Sequence, residues 1–275
     1  LVARYKGMVY RQLKKDDLAL QHFDKAITHD PAHWEAYLGR AEIYAEKGPY
    51  HLAIKDCSTL IDAGYPGHEP FYYRGNARRQ IKEYERALDD YRQCIERKPD
   101  YAPAYVGCHE IRKNFARSKI GPEKQALYAV ALKDIEKAIA LDAGNPNYYN
   151  QRGVLYYEQD LYHDAIESFT QAIGIHPKAA EFYYNRGRSK RDLKKLDEAI
   201  EDFLTAIRIQ PDRADAHYSL GRAYTQIGED RKALESYGKA IEQKPDYDSA
   251  YFHRSVLLQK MGNLKSALKD ISKAI

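Results

Sequence analysis

Residues 148–177 read YYNQRGVLYYEQDLYHDAIESFTQAIGIHP. Apolar residues recur three and four apart in each half, around Gly153 in the first and around Ala165 and Ala172 in the second, and Pro177 closes the stretch. That spacing is helical. Proline lacks an amide donor and disfavours helix in the residue before it, so the stretch predicts helix, turn, helix and stop.

The same pattern returns outward in both directions. Pro177, Pro211 and Pro245 are 34 residues apart, and so are Gly153, Gly187 and Gly221. Alanine forms the strongest column: Ala19, Ala53, Ala87, Ala131, Ala165, Ala199, Ala233 and Ala267 keep the 34-residue step throughout, except for a step of 44 between Ala87 and Ala131. A fixed period of this length marks a stacked array in which each unit buries its apolar face on its neighbours. Eight units follow, at about 1–32, 33–67, 68–101, 102–145, 146–179, 180–213, 214–247 and 248–275, read as one solenoid over 1–275.

Each column has a physical task. Gly7, Ala41, Gly75, Gly153, Gly187, Gly221 and Ser255 keep the first helix of a unit thin where the second crosses it, and the alanine column keeps the second thin. Phe23, Tyr91, Phe169, Phe203 and Tyr237 fill the remaining gap on the second helix, while Ala26, Cys94, Ala138, Ala172, Ala206, Ala240 and Ala274 admit the next unit. The second unit departs from the pattern, with Cys57 at the aromatic position and Tyr65 in the column where Pro31, Pro99, Pro177, Pro211 and Pro245 close their units.

Period, aromatic-then-glycine opening, alanine column, second-helix aromatic and closing proline together resemble the tetratricopeptide repeat (TPR) family over essentially the whole chain. The resemblance implies an all-α fold, a right-handed α-solenoid whose first helices line a concave groove and whose second helices form the outer surface. It also implies a scaffold or adaptor that binds proteins, with no catalysis and no cofactor of its own.

The fourth unit carries the ten extra residues. Its opening AYVGCHEIRKNFARS and closing ALKDIEKAIALD are intact, so the insertion falls between its two helices, around 118–123, SKIGPE, as a protruding hairpin. The chain opens at Leu1 already inside a helical pattern and the eighth unit stops at DISKAI, which reads as a fragment with uncapped apolar ends open to self-association.

Composition narrows the function classes. Hydrophobic residues make up 44% and charged residues 31%, with a net charge of +4, and mean hydropathy is −0.73. The basic residues are spread among nearly as many acids, so nucleic acid is not the expected partner. No run approaches the roughly 18 apolar residues of a membrane span. Three cysteines without CxxC spacing and the absence of any N-x-S/T sequon point to a reducing compartment, the cytoplasm. No glycine-rich phosphate loop, HExxH or G-x-S-x-G occurs. Cys108 and His109 stand side by side where packing residues belong, and His22, His29 and His33 read as too scattered for a ligand set. The acidic pairs Asp89–Asp90 and Glu201–Asp202 read as solvated charge on second helices.

The groove lining is taken from first-helix faces that the small-residue columns do not use. Units two to four present Glu35, Glu42, Glu46, Glu69, Tyr72, Asn76, Arg79 and Glu110, mostly acidic. Units five to eight present Asn150, Gln151, Tyr157, Tyr184, Asn185, Arg188, Arg191, Tyr218, Arg222, Phe252 and His253, a mixture of amide, aromatic and arginine. Asparagine bonds both groups of a peptide backbone and arginine grips a carboxylate through two bonds, so the expected occupant is an extended or helical segment with acidic residues. Asn150, Asn185, Arg188, Arg191 and Arg222 are the expected anchors.

The clamp by which chaperone-binding members of the family hold a C-terminal carboxylate does not carry over. Asn185 fits its middle asparagine, but Asn150 and Val154 stand in place of lysine and asparagine, and Asp215 and Ser219 in place of two cations. Arg40, Arg74, Arg152, Arg186 and Arg254 recur just before the small column, which points to packing and inter-helix bonding. Two alternatives remain open: binding of RNA or an acidic surface through the basic segment 186–195, and service as the recruiting region of a larger enzyme.

Overall fold

The computed structural model describes residues 2–274 and contains, among them, sixteen α-helices and no strand. They are α1 (Val2–Gln12), α2 (Asp16–His29), α3 (Trp34–Lys47), α4 (Tyr50–Asp62), α5 (Glu69–Gln80), α6 (Tyr84–Arg97), α7 (Ala102–Arg117) and α8 (Gly121–Leu141), then α9 (Pro146–Tyr157), α10 (Tyr162–Ile175), α11 (Ala180–Asp192), α12 (Leu196–Ile209), α13 (Ala214–Gln226), α14 (Asp230–Gln243), α15 (Asp248–Lys260) and α16 (Leu264–Ile271). The chain divides after Asp142 into two compact units of four helix pairs each. Odd-numbered helices are the first of each pair and even-numbered helices the second.

The turn inside most pairs is one repeated device. Lys14, Gly48, Lys82, Asp160, Lys194, Gly228 and Gly262 all adopt a positive φ. In six of these turns the amide of the next residue reaches back five positions, as in Lys15 to Tyr10, Glu83 to Arg78, Leu161 to Tyr156, Lys195 to Lys190, Glu229 to Tyr224 and Asn263 to Leu258, at 2.9–3.0 Å. That is the Schellman ending, which satisfies a carbonyl the helix would otherwise leave bare. After the second helices, Asp30, Lys98, His176, Gln210 and Lys244 leave the helix with φ near −140°, as the following prolines demand.

Within each pair the second-helix aromatic inserts against the glycine of the first helix. A methyl group at Gly153 would lie 2.6 Å from the Phe169 ring, and one at Gly187 2.8 Å from Phe203. Tyr91 is held from both sides, by Gly75 and by Gly107 of the next pair, as Phe23 is by Gly7 and Gly39. All eight column alanines are buried. The residue that breaks the small column is His109, fully buried, whose Nδ1 donates to the Ala131 carbonyl at 2.9 Å while Nε2 is enclosed without a partner. Burial holds its pKa down to about 4. Cys57, Cys94 and Cys108 are buried too, and burial pushes the Cys94 and Cys108 thiols up to about 12. A thiol held protonated is a packing group, not a nucleophile.

The extra residues of the fourth pair are mostly helix. Helices α7 and α8 run to 16 and 21 residues, against 11 to 14 for α1 to α6, and only residues 118–120 turn between them. Ile120 stands at that tip, 88% exposed. At the eighth pair Val256, Leu264 and Leu268 are exposed, as are Val2, Tyr5 and Val9 on α1.

The two acidic pairs require a correction. Asp89 and Glu201 are exposed, but Asp90 and Asp202 are 2% and 4% exposed and face inward. Each receives an arginine from sixteen residues upstream, on its own first helix: Arg74 to Asp90 and Arg186 to Asp202, at 2.8 and 2.7 Å. Arg40 with Asp56 and Arg254 with Asp270 repeat the pairing. A second cation, Arg78 or Lys190, completes Asp90 and Asp202, and Arg112 serves Asp134. The same arginines reach back to the preceding second helix, Arg40 to Asp24, Arg74 to Ser58 and Arg186 to Thr170. Burial raises the pKa of Asp56 and Asp90 and the arginines draw it back. The pairs at Arg40, Arg74 and Arg186 therefore each lock three helices together.

Candidate functional site

In each compact unit successive first helices approach one another, α1, α3, α5 and α7 in one and α9, α11, α13 and α15 in the other, whereas successive second helices come no comparable distance. The side on which helices crowd is the inner side of a curved stack, so the first helices supply the concave face.

On the face of α9 and α11, two amides and a carboxylate form a hydrogen-bonded chain. Asn185 Nδ2 donates to Asn150 Oδ1 at 3.0 Å, and Asn150 Nδ2 donates to Glu181 Oε1 at 3.1 Å. Both asparagines are buried and bonded to each other, so they brace the two helices. Gln151 keeps an enclosed Oε1 without a partner among the described residues. The Tyr157 hydroxyl donates to Asp192 Oδ2 at 2.6 Å, and its ring carries the Arg188 guanidinium 4.5 Å from the centroid. Tyr184 sits between Arg188 at 5.7 Å and Arg213 at 4.6 Å. Further along, Tyr218 packs on Tyr247 and His253, with centroids 5.0 and 5.4 Å apart, and Phe252 lies edge-on to His253 with 48% of its surface exposed.

The expected anchors thus separate into two kinds. Asn150, Asn185 and Arg191 are turned to internal use; Arg191, 5% exposed, donates to Asp192. Arg188 and Arg222 are half-buried and meet no carboxylate among the described residues. Each is four residues after a tyrosine, Tyr184 or Tyr218, one helical turn along the same face.

Most of the acidic lining of the first unit is matched from within, Glu69 excepted, whose Oε2 is enclosed without a hydrogen-bond partner among the described residues. Glu35 meets Arg4 at 3.1 Å, Glu42 and Glu46 meet Arg11 at 3.4 and 2.6 Å, and Glu110 meets Arg79 at 2.6 Å. Asn76 accepts the Tyr91 hydroxyl at 2.8 Å. His22, His29 and His33 border a single cleft with Lys6 and Lys25, brought together by α2 and the turn after it. No three such side chains among the described residues are arranged to hold a metal.

Models of the tetratricopeptide repeat family match residues 6–69, 68–101, 123–180, 187–228 and 221–262. The chain belongs to the tetratricopeptide repeat family. Among TPR relatives, Hsp70-Hsp90 organizing protein 1 of Glycine max is 28% identical over 138 residues, 49% of this chain and 24% of its own length. RNA polymerase II-associated protein 3 of Mus musculus is 28% identical over 113 residues, 41% and 17%. The matched part is therefore about a quarter or less of these relatives. Among TPR structures, MamA is 30% identical with a TM-score of 0.51 over 55% of this chain and 88% of its own. YrrB, a TPR protein with an unusual peptide-binding site, is 24% identical with a TM-score of 0.57 over 72% and 97%, a likeness of fold.

Proposed function

We propose that this TPR chain is a non-catalytic scaffold that holds a partner protein, and that the concave face of α9, α11, α13 and α15 grips an extended or helical segment carrying acidic residues. The observation that carries this reading is the pair of unmatched guanidiniums, Arg188 and Arg222, among Tyr157, Tyr184 and Tyr218, whereas Glu42 and Glu110, at the same repeat position in the other unit, are matched by Arg11 and Arg79. Tyrosine supplies apolar area with a polar tip, and arginine supplies two parallel donors for a carboxylate. Kinship with proteins named as organizers of Hsp70 and Hsp90 supports a scaffold role.

The alternative of RNA or an acidic surface at 186–195 is less favoured by the geometry. Of its cations, Arg186 and Lys190 are taken by Asp202, Arg191 by Asp192 and Lys195 by Glu198. Selection from a library of random 12-residue peptides tests the peptide reading. Peptides retained by the chain are expected to be enriched in Asp and Glu, and the variant Arg188→Ala/Arg222→Ala, still helical by circular dichroism, to lose that enrichment. Equal acid content in both selected pools refutes it.

A further inference from the structure

Contacts between successive first helices recur at one register, 31 residues apart. Arg11 of α1 meets Glu42 of α3, and Arg79 of α5 meets Glu110 of α7. In the other compact unit the same register sets the Arg188 guanidinium over the Tyr157 ring. One repeat further on, it places Arg222 of α13 opposite Arg191 of α11, a cation where the first unit has an acid.

The surroundings of Arg191 sharpen this. Its Nε and Nη2 both donate to a single oxygen, Asp192 Oδ1, at 3.0 and 2.9 Å, and the other oxygen of Asp192 is occupied by the Tyr157 hydroxyl. Nη1 has no acceptor among the described residues, and Arg222 has no carboxylate. Both guanidiniums act on one phenol: burial raises the pKa of Tyr218, and Arg222 and Arg191 both oppose the rise. Arg191, 5% exposed, thus has one carboxylate that is already committed elsewhere, and Arg222 has none among the described residues. An anion placed there would gain charge-assisted hydrogen bonds and offset the cost of enclosing a guanidinium.

We propose that Arg191 and Arg222 form a carboxylate-binding site, filled by an acidic side chain or chain terminus of the bound segment in place of the glutamate that holds the same register in the first unit. The identity of the occupant rests on the peptide-holding function proposed above; the site itself does not. Its position differs from that of the chaperone clamp, whose equivalents here are Asn150, Val154, Asn185, Asp215 and Ser219.

The test uses the whole chain, ¹⁵N-labelled at arginine, and follows the Arg191 and Arg222 Nε–H signals at matched ionic strength. The probes are sodium acetate, sodium phosphate and acetylated, amidated hexaglutamate, each against sodium chloride. Saturable shifts of both signals with acetate and hexaglutamate are expected, with at least tenfold tighter binding of hexaglutamate. The substitution Arg222→Glu, which builds the pair of the first unit, is expected to abolish both responses, and Arg222→Gln to abolish them without adding a charge. Unmoved signals in the unaltered chain, or a response that survives in Arg222→Gln, overturn the site; a response to phosphate alone overturns its assignment to carboxylate. A saturable acetate response together with unchanged peptide selection by Arg188→Ala/Arg222→Ala leaves the site standing and sinks the peptide reading, so the two fail separately.

Discussion

The two compact units share one outer scaffold and differ on the face they turn inward. Arg74 with Asp90 in the first and Arg186 with Asp202 in the second are the same pair at the same spacing, each doubled by a cation four residues on. On the first helices, by contrast, the position held by Glu42 and Glu110 in one unit is held by Arg188 and Arg222 in the other. The glutamates meet Arg11 and Arg79; the arginines meet tyrosine rings or another arginine's register. Repetition therefore constrains the residues that join helices and leaves the inner face free to vary. A groove's character is read from which of its charges are left unmatched, not from how many it has.

Three measurements bear on this comparison. The largest effect is expected where the units are alike. Removing one side of a buried ion pair strands the other, so Asp90→Ala and Asp202→Ala are each expected to cost about 3–5 kcal/mol in denaturant unfolding. A large loss in one unit and little in the other would break the claim of a common scaffold.

The next effect separates the units by acid. His109 occupies in the first unit the column held in the second by Gly153, Gly187, Gly221 and Ser255. Its imidazole stays neutral in the folded chain until about pH 4, held down by burial and by Lys113 against the pull of the Ala131 carbonyl. In the unfolded chain it takes up a proton near pH 6.5, so the unfolded state binds more protons across that window. Stability of the first unit should therefore fall as pH drops from about 6.5 to 4, by about 3 kcal/mol in total. Amide hydrogen exchange across that window is expected to quicken in α7 and α8, and His109→Ala to remove the acid sensitivity while lowering stability at neutral pH. Acid sensitivity that persists in His109→Ala assigns the effect elsewhere.

The smallest effect sharpens the inner-face contrast. Glu110→Ala leaves Arg79 half-enclosed and is expected to cost about 1 kcal/mol, whereas Arg222→Ala breaks no pair and should change the unfolding free energy by less than about 0.5 kcal/mol. Equal costs would mean that Arg222 has a partner within the fold after all.

Much of the architecture was legible in the chain because it repeats. Helix, turn and stop follow from local rules, and Gly153 facing Phe169 or Gly75 facing Tyr91 follows from the demand for a small residue wherever two backbones cross. The ionic pairing was present as columns too: arginines at 40, 74, 186 and 254 stand sixteen before aspartates at 56, 90, 202 and 270. It escaped the sequence reading because sixteen is not a helical spacing, and the two residues face each other only through the turn between helices. The link from Tyr157 to Asp192, and through it to Arg191, escaped for the same reason, since it joins successive helix pairs.

By itself the sequence determined the period, the helix pairs, the columns of alanine, glycine and aromatic that make the core, and the place of the insertion in the fourth pair. All of these are set by spacing along a single helix or by the recurrence of one unit. Only the tertiary structure decided which charges are used up and which remain. Partners sixteen and thirty-one residues apart are chosen by the crossing of helices, and the depth at which a side chain such as Asp90, His109 or Arg191 lies decides whether it braces the fold or faces a ligand.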